Sequence, residues 1–341
     1  PTSRALSIIG SHQLVMRETP ETTSVVTRLA PSFVRFGSFE HWFYNKNYVT
    51  LKVLADYVIE TFFPELAGAE NRYHAFLAEV TRRTAHLMAN WQSVGFMHGV
   101  MNTDNMSVLG LTLDYGPFGF MEGYDPHHIC NHTDQQGRYA YNRQPQIGHW
   151  NCVALGQTLL PLIGSVGATE DALKNYQAQY AEKMDQLLHA KLGLRTHQES
   201  DNKLFSAMFT LMQGSHTDFT LFFRRLGDLQ CAHPENDAPL RNLFIDRAGF
   251  DGWTQKYRTR LLSENSLDQN RRLAMHAINP KYVLRNYLAQ IAIEKAQKNE
   301  YCEVRKLRKI LESPFDEQPE HAHYAELPPG WADKLEVSCS S

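Results

Sequence analysis

The sequence predicts a mainly α fold with a small β portion, and three observations carry that prediction. Val, Ile, Thr and Phe concentrate in residues 5–36, broken at "IGSH" and "ETPETT", which predicts two or three strands. From residue 51 onward apolar residues recur at intervals of three and four, the spacing that gives a helix one apolar face. Between these patterns, a Gly-, Asn-, His- and Pro-rich stretch running to about Gly148 follows neither period and reads as one long functional loop.

The helices follow in order. "LKVLADYVIETFFPEL" places Leu51, Leu54, Val58 and Phe62 on one face, and "AENRYHAFLAEVTRRTAHLMANWQSVGF" does the same with Phe76, Val80, Leu87 and Trp91, so both are expected in a helical core. Helices resume from Trp150. "DALKNYQAQYAEKMDQLLHAKLG" reads as one helix with an acidic start and a stop at Gly193, and "NPKYVLRNYLAQIAIEKAQK" as another that begins at Asn279 with Pro280 in its first turn. The last segment, from "SPFDEQPEH" to "SCSS", reads as a Pro-rich polar tail.

Bulk composition excludes several function classes. With 341 residues and 43% of them hydrophobic, the chain can bury a full core. A formal net charge of -3, from 34 basic and 37 acidic residues, gives no electrostatic reason to expect nucleic acid or an anionic membrane as partner, so any phosphate binding must be local. No window approaches 18 uninterrupted apolar residues and no signal peptide opens the chain, so a cytoplasmic setting is expected. The five cysteines are odd in number and lack C-x-x-C spacing, which argues against a disulfide framework or structural zinc. His127, His128, Cys130 and His132 in "PHHICNH" are spaced too irregularly for a zinc site. The chain starts at Pro1 inside strand-like sequence and reads as truncated.

The most informative stretch is "HGVMNTDNMSVLGLTLDYG", His98 to Gly116. Protein kinases write their catalytic loop as H-x-D-x-x-x-x-N and follow it with a D-F-G whose Asp holds a metal. His98 and Asn105 keep that interval and Asp114-Tyr115-Gly116 stands for the second motif, but Val100 occupies the catalytic Asp position. A valine cannot accept a proton. Asp104, beside Asn105, is the nearest carboxylate to that position. If the stretch forms a β-hairpin turning at Leu109-Gly110, then Asn105 faces Asp114 at a Cβ separation of about 5 Å. An amide oxygen and a carboxylate so placed reach one hard cation, Mg²⁺ or Mn²⁺, and leave its other positions for nucleotide phosphate. Without that pairing, both residues simply end strands at turns. His98 reads as a packing and hydrogen-bonding scaffold.

Together with "PTSRALSI", "RFGSFEHW", "GRYAYNRQP", "NPKYVLRN" and the terminal "CSS", this loop resembles the selenoprotein O family along essentially the whole chain. The resemblance implies a kinase-like enzyme that transfers AMP from ATP, rather than phosphate, to Ser, Thr or Tyr hydroxyls of protein substrates, with UMP from UTP as an alternative. It implies Asp104 as the base, Asn105 and Asp114 as metal ligands, and Arg28 and Arg35 as nucleotide-phosphate contacts. Without it, the two arginines would be ordinary strand residues. The sequence departs from the family in lacking a G-x-G-x-x-G, and Lys52 sits in a helix pattern rather than on a strand. The expected organisation is therefore remnant N-lobe strands over 1–36, a kinase-like C-lobe over 37–165, a helical extension over 166–313 and a tail over 314–341, with nucleotide binding by this chain alone impaired. Cys339 stands where some relatives carry selenocysteine, and Cys130 lies in the loop that corresponds to a kinase activation loop; a redox disulfide between them and two unrelated free thiols are equal alternatives. Two other functions share these residues: a phosphotransferase of the same fold, and a non-catalytic pseudokinase scaffold.

Overall fold

Two long strands, β1 (Arg4–Met16) and β2 (Pro20–Leu29), pair antiparallel as an exposed hairpin. The computed structural model describes residues 2–16 and 20–337. The predicted break at "IGSH" is a register shift between Gly10 and Leu14 inside β1, so the chain makes one longer strand there instead of two. A bulge of this kind absorbs the extra residues while the pairing continues. Both faces of the hairpin carry exposed apolar side chains, among them Leu6, Ile8, Ile9 and Val25.

The body is helical. In chain order it comprises α1 (Phe36–Tyr44), α2 (Tyr48–Phe62) and α3 (Arg72–Ser93), a two-residue strand pair β3 (Phe96–Met97) and β4 (Gly119–Phe120), then α4 (Gln144–Ile163), α5 (Val166–Leu173) and α6 (Tyr176–Lys191). Beyond these come α7 (Asp201–Gly214), α8 (Phe219–Leu226), α9 (Ala238–Arg241), α10 (Arg247–Ser263), α11 (Asp268–Ile278), α12 (Asn286–Gln297) and α13 (Cys302–Glu312). Asn47 and Asn71 cap α2 and α3 by accepting from the amides of Thr50 and His74, which satisfies donors that the first helical turn leaves open.

The first core cluster joins α1 to α5. The periodic residues of α3 (Phe76, Val80, Leu87 and Trp91) are buried in it, as are Leu51 and Val58 of α2. Each such side chain contributes about 1.5–3 kcal/mol by leaving water. Leu54 and Phe62, on the edge of the same stripe, are half-buried. A second cluster joins α6, α7, α8, α10 and α11 through Phe205, Phe222, Trp253 and Tyr257. A third holds α12, α13 and the tail through Leu288, Ile310 and Tyr324.

Three predicted boundaries move. The helix expected over 171–193 splits into α5 and α6, because Tyr176 turns into the core and its hydroxyl donates to the Pro145 carbonyl at 2.7 Å. Helix α4 begins at Gln144, before Trp150, since the buried Gln144 side chain is anchored between His98 N and Phe96 O, both at 2.9 Å. Asn279 ends α11 rather than starting a helix. Its amide is fixed by Lys191, accepting from Nζ at 2.8 Å and donating to the backbone oxygen at 2.9 Å, so the next helix waits until Asn286. The tail is not uniformly polar, for Tyr324 and Ala325 are buried against the third cluster. Among the described residues, no helix is long and apolar enough to cross a membrane.

Candidate active site

The cleft begins where α3 ends and β3 leads into His98. Gly99 follows with φ +83, and a Cβ there would lie 2.5 Å from the Pro117 carbonyl oxygen, so only glycine passes. His98 is fully buried. Its Nδ1 accepts from the Val100 amide at 3.3 Å, which makes Nε2 the protonated nitrogen donating to Leu113 O at 2.7 Å. Burial pushes the imidazole down to about 4, against the opposing pull of that backbone hydrogen bond and of Asp114. Neutral and wedged, His98 ties the loop start to the residue preceding Asp114.

Beyond Val100 the chain makes a 3-10 turn over Thr103–Asn105. The Asn105 side chain is oriented by its own Nδ2, which donates to Val100 O at 2.9 Å and leaves the amide oxygen as the group available to a cation. Asn151 holds Met101 O at 2.9 Å from α4, and Tyr139 reaches Asn102 Oδ1 at 2.6 Å from the long loop. Asp104 is exposed and its carboxylate lies across the first turn of α1. A Cβ on Gly37 would sit 1.9 Å from Asp104 Oδ1, so the bare backbone at 37 makes room for that carboxylate.

The expected hairpin is not formed. Gly110 N bonds Ser107 O at 3.1 Å, closing a turn over 107–110, and the one bridge across the stretch pairs Met106 with Thr112 instead of Leu113. The register is thus one residue off, and Asn105 is not the cross-strand partner of Asp114. Asp114 instead takes φ +55, a conformation that Asp tolerates better than most residues, and this kink swings it back toward the loop. Both of its oxygens are engaged: Arg28 Nη1 donates to Oδ1 at 2.6 Å, while Arg35 Nε and Nη2 donate to Oδ2 at 2.8 and 2.5 Å. Burial alone would raise the Asp114 carboxyl, but the hydrogen bonds and charges of the two arginines outweigh it and hold it below the usual carboxylate range.

Asp104, Asn105, Asp114 and Arg35 nevertheless line one open cleft of about 460 Å³, together with Gly37, Ser38 and His41. Arg28 joins them from β2 through Asp114. The Asn105 amide oxygen and the Asp114 carboxylate are hard oxygen donors of the kind that could hold a divalent ion, and the His41 imidazole lines the same cleft. A larger cavity of about 650 Å³ lies behind Tyr115, lined by Trp91, Phe96 and Phe118. It contains no carboxylate and offers no metal clamp. Sequence reasoning missed Gly37, Ser38 and His41, although all three lie inside "RFGSFEHW".

Cys130 is buried, with Sγ 3.0 Å from Pro117 O. Two residues further on, the His132 amide donates to Val337 O at 2.8 Å, which brings the tail to this loop. Cys339, the other half of the expected pair, lies outside the described residues.

Comparison with known proteins identifies the family. Residues 1–312 match the family described as "Protein adenylyltransferase SelO". The chain is 66% identical over 341 residues to the protein nucleotidyltransferase YdiU of Herminiimonas arsenicoxydans, spanning all of this chain and 68% of that protein. It is 53% identical over 355 residues to the YdiU of Burkholderia pseudomallei strain 1710b and 52% identical to that of Burkholderia lata, with the same coverage.

Proposed function

Because the chain belongs to the SelO family of protein adenylyltransferases, and so to the nucleotidyltransferases, we propose that this cleft transfers AMP from ATP to Ser, Thr or Tyr hydroxyls of other proteins. Residues 37–165 act as a kinase-like catalytic lobe and 166–313 as its helical extension. The observation that carries the reading is the convergence of Asp104, Asn105, Asp114 and Arg35 on one cleft, with Arg28 and Arg35 already bound to the Asp114 carboxylate.

Asn105 and Asp114 would hold a Mg²⁺ or Mn²⁺ ion, which would supply positive charge to the phosphate oxygens. Arg28 and Arg35 move from Asp114 to the phosphates, where the guanidinium fork matches phosphate oxygens. Arg28 and Arg35 balance Asp104 and Asp114, so the cleft is close to neutral as it stands and a divalent ion would supply the excess positive charge that nucleotide phosphates need. Asp104 accepts the acceptor hydroxyl's proton as its oxygen bonds to the α-phosphorus. The bond from that phosphorus to the bridging oxygen breaks, and pyrophosphate leaves with the electron pair, its charge met by the arginines. A Cys130–Cys339 disulfide ties the tail to the long loop and makes transfer sensitive to reductant.

ATP labelled at either the α or the γ phosphate tests the reaction. Full-length protein with Mg²⁺ or Mn²⁺ is expected to pass only the α label to protein. Transfer of the γ label would make it a phosphotransferase, and transfer of neither would make it a scaffold.

A further inference from the structure

Away from the cleft, the C-terminal half of α6 and the loop that follows it gather a second set of ligand-type side chains. Asp185 and His189 stand one helical turn apart on α6, so both project from the same face. The helix ends at Lys191, Gly193 takes φ +66 and the chain doubles back, bringing His197 alongside. His197 Nδ1 lies 2.9 Å from Asp185 Oδ2, and His189 Nδ1 lies 3.3 Å from Asp185 Oδ1. One ligand atom from each of the three lies within 4.8 Å of the others. Tetrahedral ligands at about 2.0–2.1 Å from a zinc ion stand roughly 3.3 Å apart; the His189–Asp185 Oδ1 separation matches that spacing, and His197 reaches the other oxygen of the same carboxylate.

The surroundings of His189 sharpen the case. Its Nε2 lies 3.0 Å from Oδ2 of Asp201, a buried carboxylate held in turn by Arg260 Nε at 2.6 Å and Nη2 at 3.1 Å and by the Gln198 amide at 2.8 Å. A carboxylate behind a histidine fixes the Nε2–H tautomer and orients the ring, as it does behind metal-bound histidines. The other nitrogen, Nδ1, then faces two oxygens, the Asp185 carbonyl at 2.8 Å and Asp185 Oδ1 at 3.3 Å. A metal ion at Nδ1 would therefore find oxygens of Asp185 beside it. The two imidazoles lie close and tilted to one another, with centroids 3.9 Å apart and planes at 33°. His197, 61% exposed, already directs Nδ1 at Asp185 Oδ2 at 2.9 Å, on the same carboxylate that faces His189.

We propose that Asp185, His189 and His197 form a binding site for Zn²⁺ or a similar transition-metal ion, with a fourth position open to water, that clamps α6 to the loop preceding α7. The donor set separates it from the cleft. Two imidazoles and one carboxylate suit zinc, whereas the oxygen pair of Asn105 and Asp114 suits a hard ion.

The purified protein, stripped of metal, is titrated with Zn²⁺ by calorimetry and with Co²⁺ by visible absorption, in an Asp114→Ala background that removes the cleft ligand. One equivalent should bind, with a d–d spectrum of low coordination number and a rise in melting temperature. His197→Ala and Asp185→Asn should weaken uptake at least about tenfold and abolish the thermal shift, and Asp201→Asn should weaken it by about 10–100-fold. His197 is exposed, so its loss leaves the fold intact and the comparison readable. Absence of stoichiometric uptake, or uptake unchanged in both His197→Ala and Asp185→Asn, overturns the proposal.

Discussion

Arg35 and Asp114, 79 residues apart in sequence, are joined by a fork in which two guanidinium nitrogens meet one carboxylate oxygen, at 2.8 and 2.5 Å. Arg28 takes the other oxygen. The proposed metal ligand is thus held by the proposed phosphate ligands, and opposite effects follow from removing one arginine. Arg35→Ala should tighten Mn²⁺ binding in the absence of nucleotide while weakening ATP binding, each by about tenfold, or about 1.4 kcal/mol. Mn²⁺ paramagnetic resonance and nucleotide titration measure the two. Parallel weakening of both would contradict the exchange.

Gly37→Ala should separate catalysis from folding. Alanine favours the helix by about 1 kcal/mol over glycine, but its methyl would sit 1.9 Å from Asp104 Oδ1 and so turn the carboxylate away. The melting temperature should change little, since the helix preference is offset by the methyl's 3.2 Å approach to Asp104 Cα, while transfer falls about 100-fold, the scale of a misplaced catalytic group. Full activity in this variant would remove Asp104 from the chemistry.

How much of this was legible in the sequence depended on distance along the chain. The faces of α2 and α3 follow from local periodicity, and Phe76, Val80 and Trp91 are buried as their spacing requires. The loop residues Asp104, Asn105 and Asp114 were visible as a motif, and all three line one cleft. Their register was not visible, because the turn over 107–110 and the left-handed backbone at Asp114 depend on packing rather than on pattern. The Arg28–Asp114 pair spans 86 residues, and no local rule reports such a contact. The same holds for Asn279, whose helix-starting appearance is overridden by Lys191.

His98 makes acid stability a test of its scaffold role. Its folded value of about 4 lies below the roughly 6.5 of an exposed imidazole, so between these values the unfolded chain binds a proton that the folded chain refuses. Stability should therefore rise with pH from about 4 to about 6.5 and level off above, by on the order of 3 kcal/mol from this group. Urea unfolding across that range measures it. In His98→Gln, which cannot titrate, the slope should be shallower by up to one proton, and an unchanged slope would place the effect elsewhere.

The redox reading predicts that protein isolated without reductant is lighter by two hydrogens than reduced protein, with Cys130 and Cys339 in one cross-linked peptide. Intact mass followed by peptide mapping reads this directly. Equal masses, or a Cys130 peptide without its partner, would leave the tail held only by contacts such as His132 to Val337.

The central claim is a divalent ion shared by Asn105 and Asp114 once nucleotide has drawn the arginines away. Anomalous diffraction from crystals of the full-length protein with Mn²⁺ and a non-hydrolysable ATP analogue locates that ion without ambiguity. The account predicts a manganese peak about 2.1 Å from Asn105 Oδ1 and from an Asp114 carboxylate oxygen, with Arg28 and Arg35 on phosphate. A peak elsewhere, with Asp114 still clasped by both arginines, would contradict it.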